Sequence, residues 1–308
     1  MMDGIINVYK EQGFTSHDVV AKLRGILRMK KIGHTGTLDP DAVGVLPVCL
    51  GKGTKVCDLI TDWNKTYEAV MLLGTTTDTQ DTTGQVLTVS DVNVDERMLV
   101  EVISSFVGEY DQIPPMYSAL KINGKKLYEL AREGKIVERK ARKVQIESIH
   151  INEMNLEDEQ KTVTFTVTCS KGTYVRTLCH DIGEKLGCGA CMQHLERTRV
   201  GQFNVDDSLT LNQIAALVLK GEFTEKLVSV DSLFDYEHIT VPEEYNKLLY
   251  NGNALKVSDV MTEEQAVIAD GEKFCIYDDN GEFIGIYQCD RDVLKLIKMF
   301  YTGISDEV

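Results

Sequence analysis

The run KKIGHTGTLDPDAVGVLP, residues 30–47, gathers Gly33, Gly36 and Gly44 around His34, Asp39 and an Asp-Pro step. A carboxylate in such a loop has two chemistries open to it, proton abstraction and nucleophilic attack. Phosphate cradling is excluded, because GHTGTLDP has no Gly-Lys-Ser/Thr ending and GKGTK, residues 51–55, has no glycine at the required spacing before it. His34 lies five residues before Asp39 and is either structural or functional. Arg176 opens a helix after a strand and a glycine turn, a position from which it can simply clasp the surface. Tyr67 fits either a site or the core of its strand. CGAC, residues 188–191, has CxxC spacing and lies close to Cys179 and His180. Without a second CxxC or a preceding βαβ unit, small buried thiols explain it better than a zinc or redox centre.

The elements that must hold these residues are legible from periodicity. TSHDVVAKLRGILRMKK reads as a helix capped by Thr15 or Ser16, with Val19, Val20, Leu23, Ile26 and Leu27 on one face and Gly33 as its stop. KTYEAVMLLG, residues 65–74, reads as a strand with Tyr67, Ala69, Met71 and Leu73 on one side. VDERMLVEVISSFVG is helical, with Asp95 as cap and Met98, Leu99, Val102, Ile103 and Phe106 inward. KTVTFTVTC, residues 161–169, alternates as a half-buried strand, and TYVRTLCHDIGEKLG is a helix closed by Gly187. LTLNQIAALVLKG forms another helix. From about Ile239 short strands take over, with a hairpin across Asn280-Gly281. Helices and strands do not alternate regularly, which predicts α+β rather than a doubly wound sheet.

The 308 residues carry a net charge of -15, but the distribution matters more than the sum. Asp206 to the end holds 21 acids against 8 bases, so residues 1–205 are nearly neutral. Within them KLRGILRMKK has five bases and no acid, and residues 121–143 have nine bases against three acids. Each basic run is either a solvated helix face or a phosphate contact. No stretch approaches the roughly 18 apolar residues of a membrane span. Eight cysteines in so long a chain point to a reducing compartment, so a cytoplasmic protein is expected.

Six segments together, GHTGTLDPDAVGVLP, KTYEA, TDTQDTTG, PPMYSALKINGKKLYELAREG, SKGTYVRTLCHDIGEKLGCGA and HLERTRVG, are similar to the successive motifs of the bacterial tRNA pseudouridine-55 synthases, the TruB family. They occur in that family's order and cover most of residues 5–205. The resemblance implies a largely antiparallel mixed sheet flanked by helices over residues 1–236, with an RNA-clamping insertion at about 112–145. It also implies a small β-rich PUA-like domain over 239–308, where the likeness is one of size and β character.

The activity implied is conversion of the T-loop uridine of tRNA to pseudouridine: the N1–C1′ bond breaks and C5 rejoins C1′. The partner is the T-arm stem-loop of tRNA; no cofactor, metal or membrane is implied, and a monomer suffices. Asp39 is then the catalytic carboxylate, as nucleophile or as the base that removes the C2′ proton. A partly dry pocket disfavours a charged carboxylate unless a cation compensates, and Arg176 matches the family arginine that does so. Tyr67 matches the active-site tyrosine that stacks on the uracil. Tyr174 and Leu195 match pocket-lining positions, and Lys10 the lysine that supports the site. Asp81 of TDTQDTTG falls with the substrate-binding residues. His34 would fill the space left by the flipped base, and Lys121, Lys140, Arg142 and Lys143 would meet phosphates. The family's usual proline after that lysine is replaced by Glu11, and Cys191 stands where related chains often carry histidine. A tRNA-binding or folding-assistance protein that needs no catalysis would use the same basic segments, and a metal–thiol protein would use Cys179, His180, Cys188 and Cys191.

Overall fold

The computed structural model describes residues 2–122, 124–260 and 268–301. Its centre is a nine-stranded sheet whose main path runs Gly4–Lys10, Val43–Leu50, Ala190–Val200, Lys65–Leu73, Thr162–Cys169, Arg142–Asn155, Gly108–Gln112. Ile32–His34 and Phe203–Asn204 attach beside this path. Every pairing is antiparallel except the short parallel contact of Glu196 and Arg197 with Val43 and Gly44. The fold is mixed α+β, as the element pattern predicts.

Alternation explains the middle of the sheet. Tyr67, Ala69, Met71 and Leu73 point to one face, as do Val163, Phe165, Val167 and Cys169. The helix Val175–Leu186 covers that face with Leu178, Ile182 and Leu186, forming one core. The helix Glu96–Ser104 adds Leu99 and Ile103. Its Met98 is exposed instead of inward, because at 3.6 residues per turn it stands about 100° round the helix from Leu99, away from the buried Leu99–Ile103 face. On the other side, helices Ser16–Leu27 and Leu211–Lys220 bury Val19, Leu23 and Ile214 against Ile6, Val8, Leu46 and Val48.

Thr15 caps the first helix through a reciprocal box with Asp18: the Asp18 N–H donates to Thr15 Oγ1 at 3.1 Å and the Thr15 N–H to Asp18 Oδ2 at 2.9 Å. The helix does not run to Gly33. It ends at Leu27, with Arg28 in the left-handed region at φ 51°. The chain must turn there so that Ile32–His34 can pair with Val48–Leu50, and that pairing, not a glycine, sets the helix end.

A second sheet has five strands in the order Glu237–Thr240, Lys273–Tyr277, Phe283–Asp290, Val293–Met299, Leu255–Lys256. Asp278 shapes its hairpin by accepting the Asn280 and Glu282 N–H groups at 3.0 and 2.7 Å, with Gly281 at φ 78°. This sheet fits a PUA-like domain; part of 239–308 lies outside the described residues. Ile286 and Phe300 share a core with Val45, Ile60 and Leu233 of the first sheet's surroundings, and Lys298 pairs with Asp58 at 2.7 Å.

Candidate active site

Residues 35–42 bridge the strands Ile32–His34 and Val43–Leu50 and are held at each step. The Thr35 hydroxyl and N–H both donate to the Pro47 carbonyl at 3.2 Å. The Leu38 N–H donates to Ser16 Oγ at 3.0 Å. The Pro40 carbonyl accepts from Lys10 Nζ at 2.9 Å and from the Gly13 N–H at 3.0 Å. Leu38 and Ala42 go into the core. Asp39 lies between them with its carboxylate 44% exposed. Gly44 closes the loop at φ 102°, where a Cβ would lie 2.3 Å from the Arg197 carbonyl oxygen; only glycine fits.

Arg176 meets this carboxylate from the helix Val175–Leu186. The start of that helix is fixed by Gln112, whose side chain accepts the Tyr174 N–H at 2.8 Å and donates to the Tyr174 carbonyl at 3.0 Å. Arg176 is only 6% exposed. Its Nη2 lies 3.3 Å from Asp39 Oδ2 and donates to the Tyr117 carbonyl at 2.6 Å, while Nη1 lies 3.6 Å from Asp81 Oδ2. One buried guanidinium therefore joins two carboxylates on two separate loops. Such pairing offsets the cost of burying the cation and holds it in one orientation.

The Asp81 loop has its own supports. Asp81 Oδ1 accepts from Thr79 Oγ1 at 2.7 Å and from the Thr83 N–H at 3.0 Å. Gln80, at φ 65°, accepts the Thr177 hydroxyl through its side-chain oxygen at 2.7 Å and the Met192 N–H through its carbonyl at 3.0 Å.

Around Asp39 stand the apolar and aromatic candidates. Tyr67 and Leu195 are buried on adjacent strands, with Leu195 opposite Ala69. Burial raises the Tyr67 hydroxyl above its ordinary range, and Arg197 opposes that shift. The Tyr174 hydroxyl is raised chiefly by burial too, and the Arg176 guanidinium lies 5.9 Å from the Tyr174 ring. His34 packs edge-on against His17 at 5.4 Å; burial, then the charges of His17 and Arg197, lower its pKa. Lys10 is fully buried and donates to the Glu11 and Pro40 carbonyls. Burial brings it down to about 8, although Asp41 and Asp39 oppose the shift. It therefore ties down the Asp39 loop at Pro40.

The basic segment forms the hairpin Lys121–Ile122 with Lys125–Lys126, the helix Leu127–Arg132 and an irregular return to the strand Arg142–Asn155. Lys121, Lys140, Arg142 and Lys143 are all exposed. Lys143 already has a carboxylate, Glu109 at 2.5 Å, and Lys135 and Lys125 share Glu133.

Sequence reasoning missed three participants: the Tyr117 carbonyl, Gln80 and Arg197. A main-chain acceptor and a left-handed backbone leave no composition signal. Arg197 was visible in the sequence only as one charge among several in HLERTRVG. Cys179 and Cys191 are buried thiols, Cys179 raised strongly by burial. Among the described residues no three His, Cys, Asp or Glu side chains converge to hold a metal ion.

The description "TruB family pseudouridylate synthase (N terminal domain)" matches residues 24–175, and "tRNA pseudouridylate synthase B C-terminal domain" matches residues 176–236. A tRNA pseudouridine synthase B from Lachnoclostridium phytofermentans is 50% identical over 306 residues, covering 97% of this chain and 100% of the relative. This chain belongs to the TruB family. Its Clostridium acetobutylicum relative, also a tRNA pseudouridine synthase B, is 46% identical over 97% of this chain and 99% of its own length. Among solved structures, a chain of a Cbf5–Nop10–Gar1 complex superposes with a TM-score of 0.71 at 28% identity, covering 97% of this chain and 85% of that one. A chain of an H/ACA RNP bound to a substrate RNA containing 2′-deoxyuridine gives 0.70 at 25% identity, with the same coverage of both chains. The Asp39 loop and the Arg176 helix thus sit within a TruB-family fold.

Proposed function

We propose that this chain converts the T-loop uridine of tRNA to pseudouridine with Asp39 as its catalytic carboxylate. The protein is a tRNA pseudouridine synthase, an isomerase. The observation that carries the assignment of the site is the half-exposed Asp39 carboxylate held by the buried Arg176 guanidinium, which Asp81 holds in turn. Breaking N1–C1′ and forming C5–C1′ leaves the atom count unchanged, so no cofactor enters the balance. Asp39 either attacks carbon or takes the C2′ proton. Arg176 keeps it oriented. The Tyr67 ring is a stacking platform for the uracil, and Leu195 and Tyr174 wall the pocket so that the freed base stays close to C1′.

The base must leave the T-loop stack at a cost of roughly a few kcal/mol. His34, beside the loop, is the group we assign to the vacated space, where stacking of about 1–3 kcal/mol offsets much of that cost. Lys121, Lys140 and Arg142 contact phosphates, giving affinity and register but little sequence information. Residues 1–236 form the catalytic part and 239–308 the PUA-like part; one cytoplasmic monomer suffices. A purely tRNA-binding role accounts less well for the site, because an exposed carboxylate at its centre repels phosphate and needs no buried counter-ion for that purpose.

Mapping pseudouridine in an unmodified tRNA transcript, incubated with purified protein and no added cofactor, tests this. Conversion of one T-loop uridine and no other is expected. Conversion at another position overturns the T-loop assignment, and no conversion at all overturns the whole reading.

A further inference from the structure

Arg197 is the largest fully buried side chain among the described residues. It lies in a cross-strand row that passes beneath the Asp39 loop: Lys10 faces Gly44, Gly44 faces Arg197, and Arg197 faces Tyr67. Its Nε donates to the Val45 carbonyl at 2.7 Å and its Nη2 lies 3.4 Å from the Gly36 carbonyl. Its charge acts on the Tyr67 hydroxyl, which belongs to the residue directly across the strand pair.

Arg176, nearby, shares its charge with two carboxylates. Among the described residues no carboxylate pairs with Arg197. A buried cation without a carboxylate partner is costly, and an apolar side chain of the same volume would serve packing better. The groups that face it are Tyr67 and Lys65 from one strand, Lys10 from another, and His34 from a third, with Asp39 on the loop above. The acids that act on this patch, Asp39, Asp41 and Asp18 toward Lys10 and Asp62 toward Lys65, form no ion pair with Arg197.

We propose that Arg197 is a positioning residue of the active site: it fixes the Tyr67 hydroxyl and the Gly36 turn of the Asp39 loop, and supplies positive charge beneath the carboxylate. It acts through Tyr67 and Asp39 and does not touch substrate. The proposal rests on the assignment of Asp39 and Tyr67 made above.

The test compares full-length wild type, Arg197→Lys and Arg197→Met on a T-arm hairpin, measuring single-turnover rate from pH 6 to 10, RNA affinity and thermal midpoint. A lysine at this depth should lose its proton near neutrality, as Lys10 and Lys65 beside it come down to about 8 through burial. The Arg197→Lys rate is therefore expected to fall relative to wild type as pH rises through about 8. The Arg197→Met rate should be lower by about a hundredfold at every pH, with RNA affinity and thermal midpoint unchanged or the midpoint raised. An Arg197→Lys profile parallel to wild type overturns the proposal, and so does failure of both variants to fold, which would assign the residue to structure alone. A wild type that forms no pseudouridine sinks the functional reading instead, so the two failures are distinct.

Discussion

Gln80 combines strain with a tie between the two halves of the site, and two substitutions separate these effects. Its backbone sits at φ 65°, where a side chain costs about 1–2 kcal/mol relative to glycine. Its side-chain oxygen accepts the Thr177 hydroxyl at 2.7 Å, next in sequence to Arg176, and it precedes Asp81. A neutral hydrogen bond of this kind contributes about 1 kcal/mol. Gln80→Ala keeps the strain and loses the bond, so stability should fall by about 1 kcal/mol. Gln80→Gly loses the bond but relieves the strain, so the two changes nearly cancel. The variants should therefore differ by about 1 kcal/mol in urea unfolding. In single-turnover pseudouridine formation they should be alike, each slower by about fivefold, since about 1.4 kcal/mol corresponds to a factor of ten. Equal stabilities would refute the strain argument, and wild-type rates in both would refute the tie between Gln80 and the Arg176 pair.

Lys10 gives a pH prediction with a definite sign. Its folded value, about 8, lies below the ordinary 10.5, so between these limits the unfolded chain binds more protons and stability rises with pH. The stability of wild type relative to Lys10→Met should thus climb by up to about 3 kcal/mol from pH 8 to 10.5; a flat difference in urea titrations would contradict it. Replacing Lys140, Arg142 and Lys143 with alanine should lower the salt slope of tRNA binding by about 1.5–2 rather than about 3, because Lys143 is already matched by Glu109. An unchanged slope would make this run a solvated surface. Gly44→Ala puts a Cβ at 2.3 Å from the Arg197 carbonyl oxygen and should cost roughly 3 kcal/mol or more, read as a lower urea midpoint; a wild-type midpoint would show that the strands separate freely.

Legibility in the sequence followed burial geometry. Lys65–Leu73 and Thr162–Cys169 expose one face, so their alternation was plain. Gly4–Lys10 and Val43–Leu50 are buried on both faces and show no period of two. Ala190–Val200 carries bulges at Met192/His194 and Arg197/Arg199, which shift the side-chain phase and hide the strand. That hid Arg197 as well, since an arginine outside any recognised element reads as surface. Glycines, a histidine and an Asp-Pro step single out the Asp39 loop, but the roles proposed for Asp39, Arg176 and Tyr67 come from the order of six motifs and not from those residues alone. The second carboxylate's contact with Arg176 depends on a loop fixed by Gln80 in a left-handed backbone, which no residue pattern announces.

Conversion of a T-arm hairpin by wild type and Asp39→Asn, side by side, tests the central claim most directly. The amide keeps the size of the side chain, and the Asp39 backbone contact to the Ala42 N–H does not depend on the carboxylate. The variant should therefore fold and bind the hairpin with affinity close to wild type, yet form no pseudouridine under single-turnover conditions. Pseudouridine formation by Asp39→Asn at the wild-type rate would contradict the account.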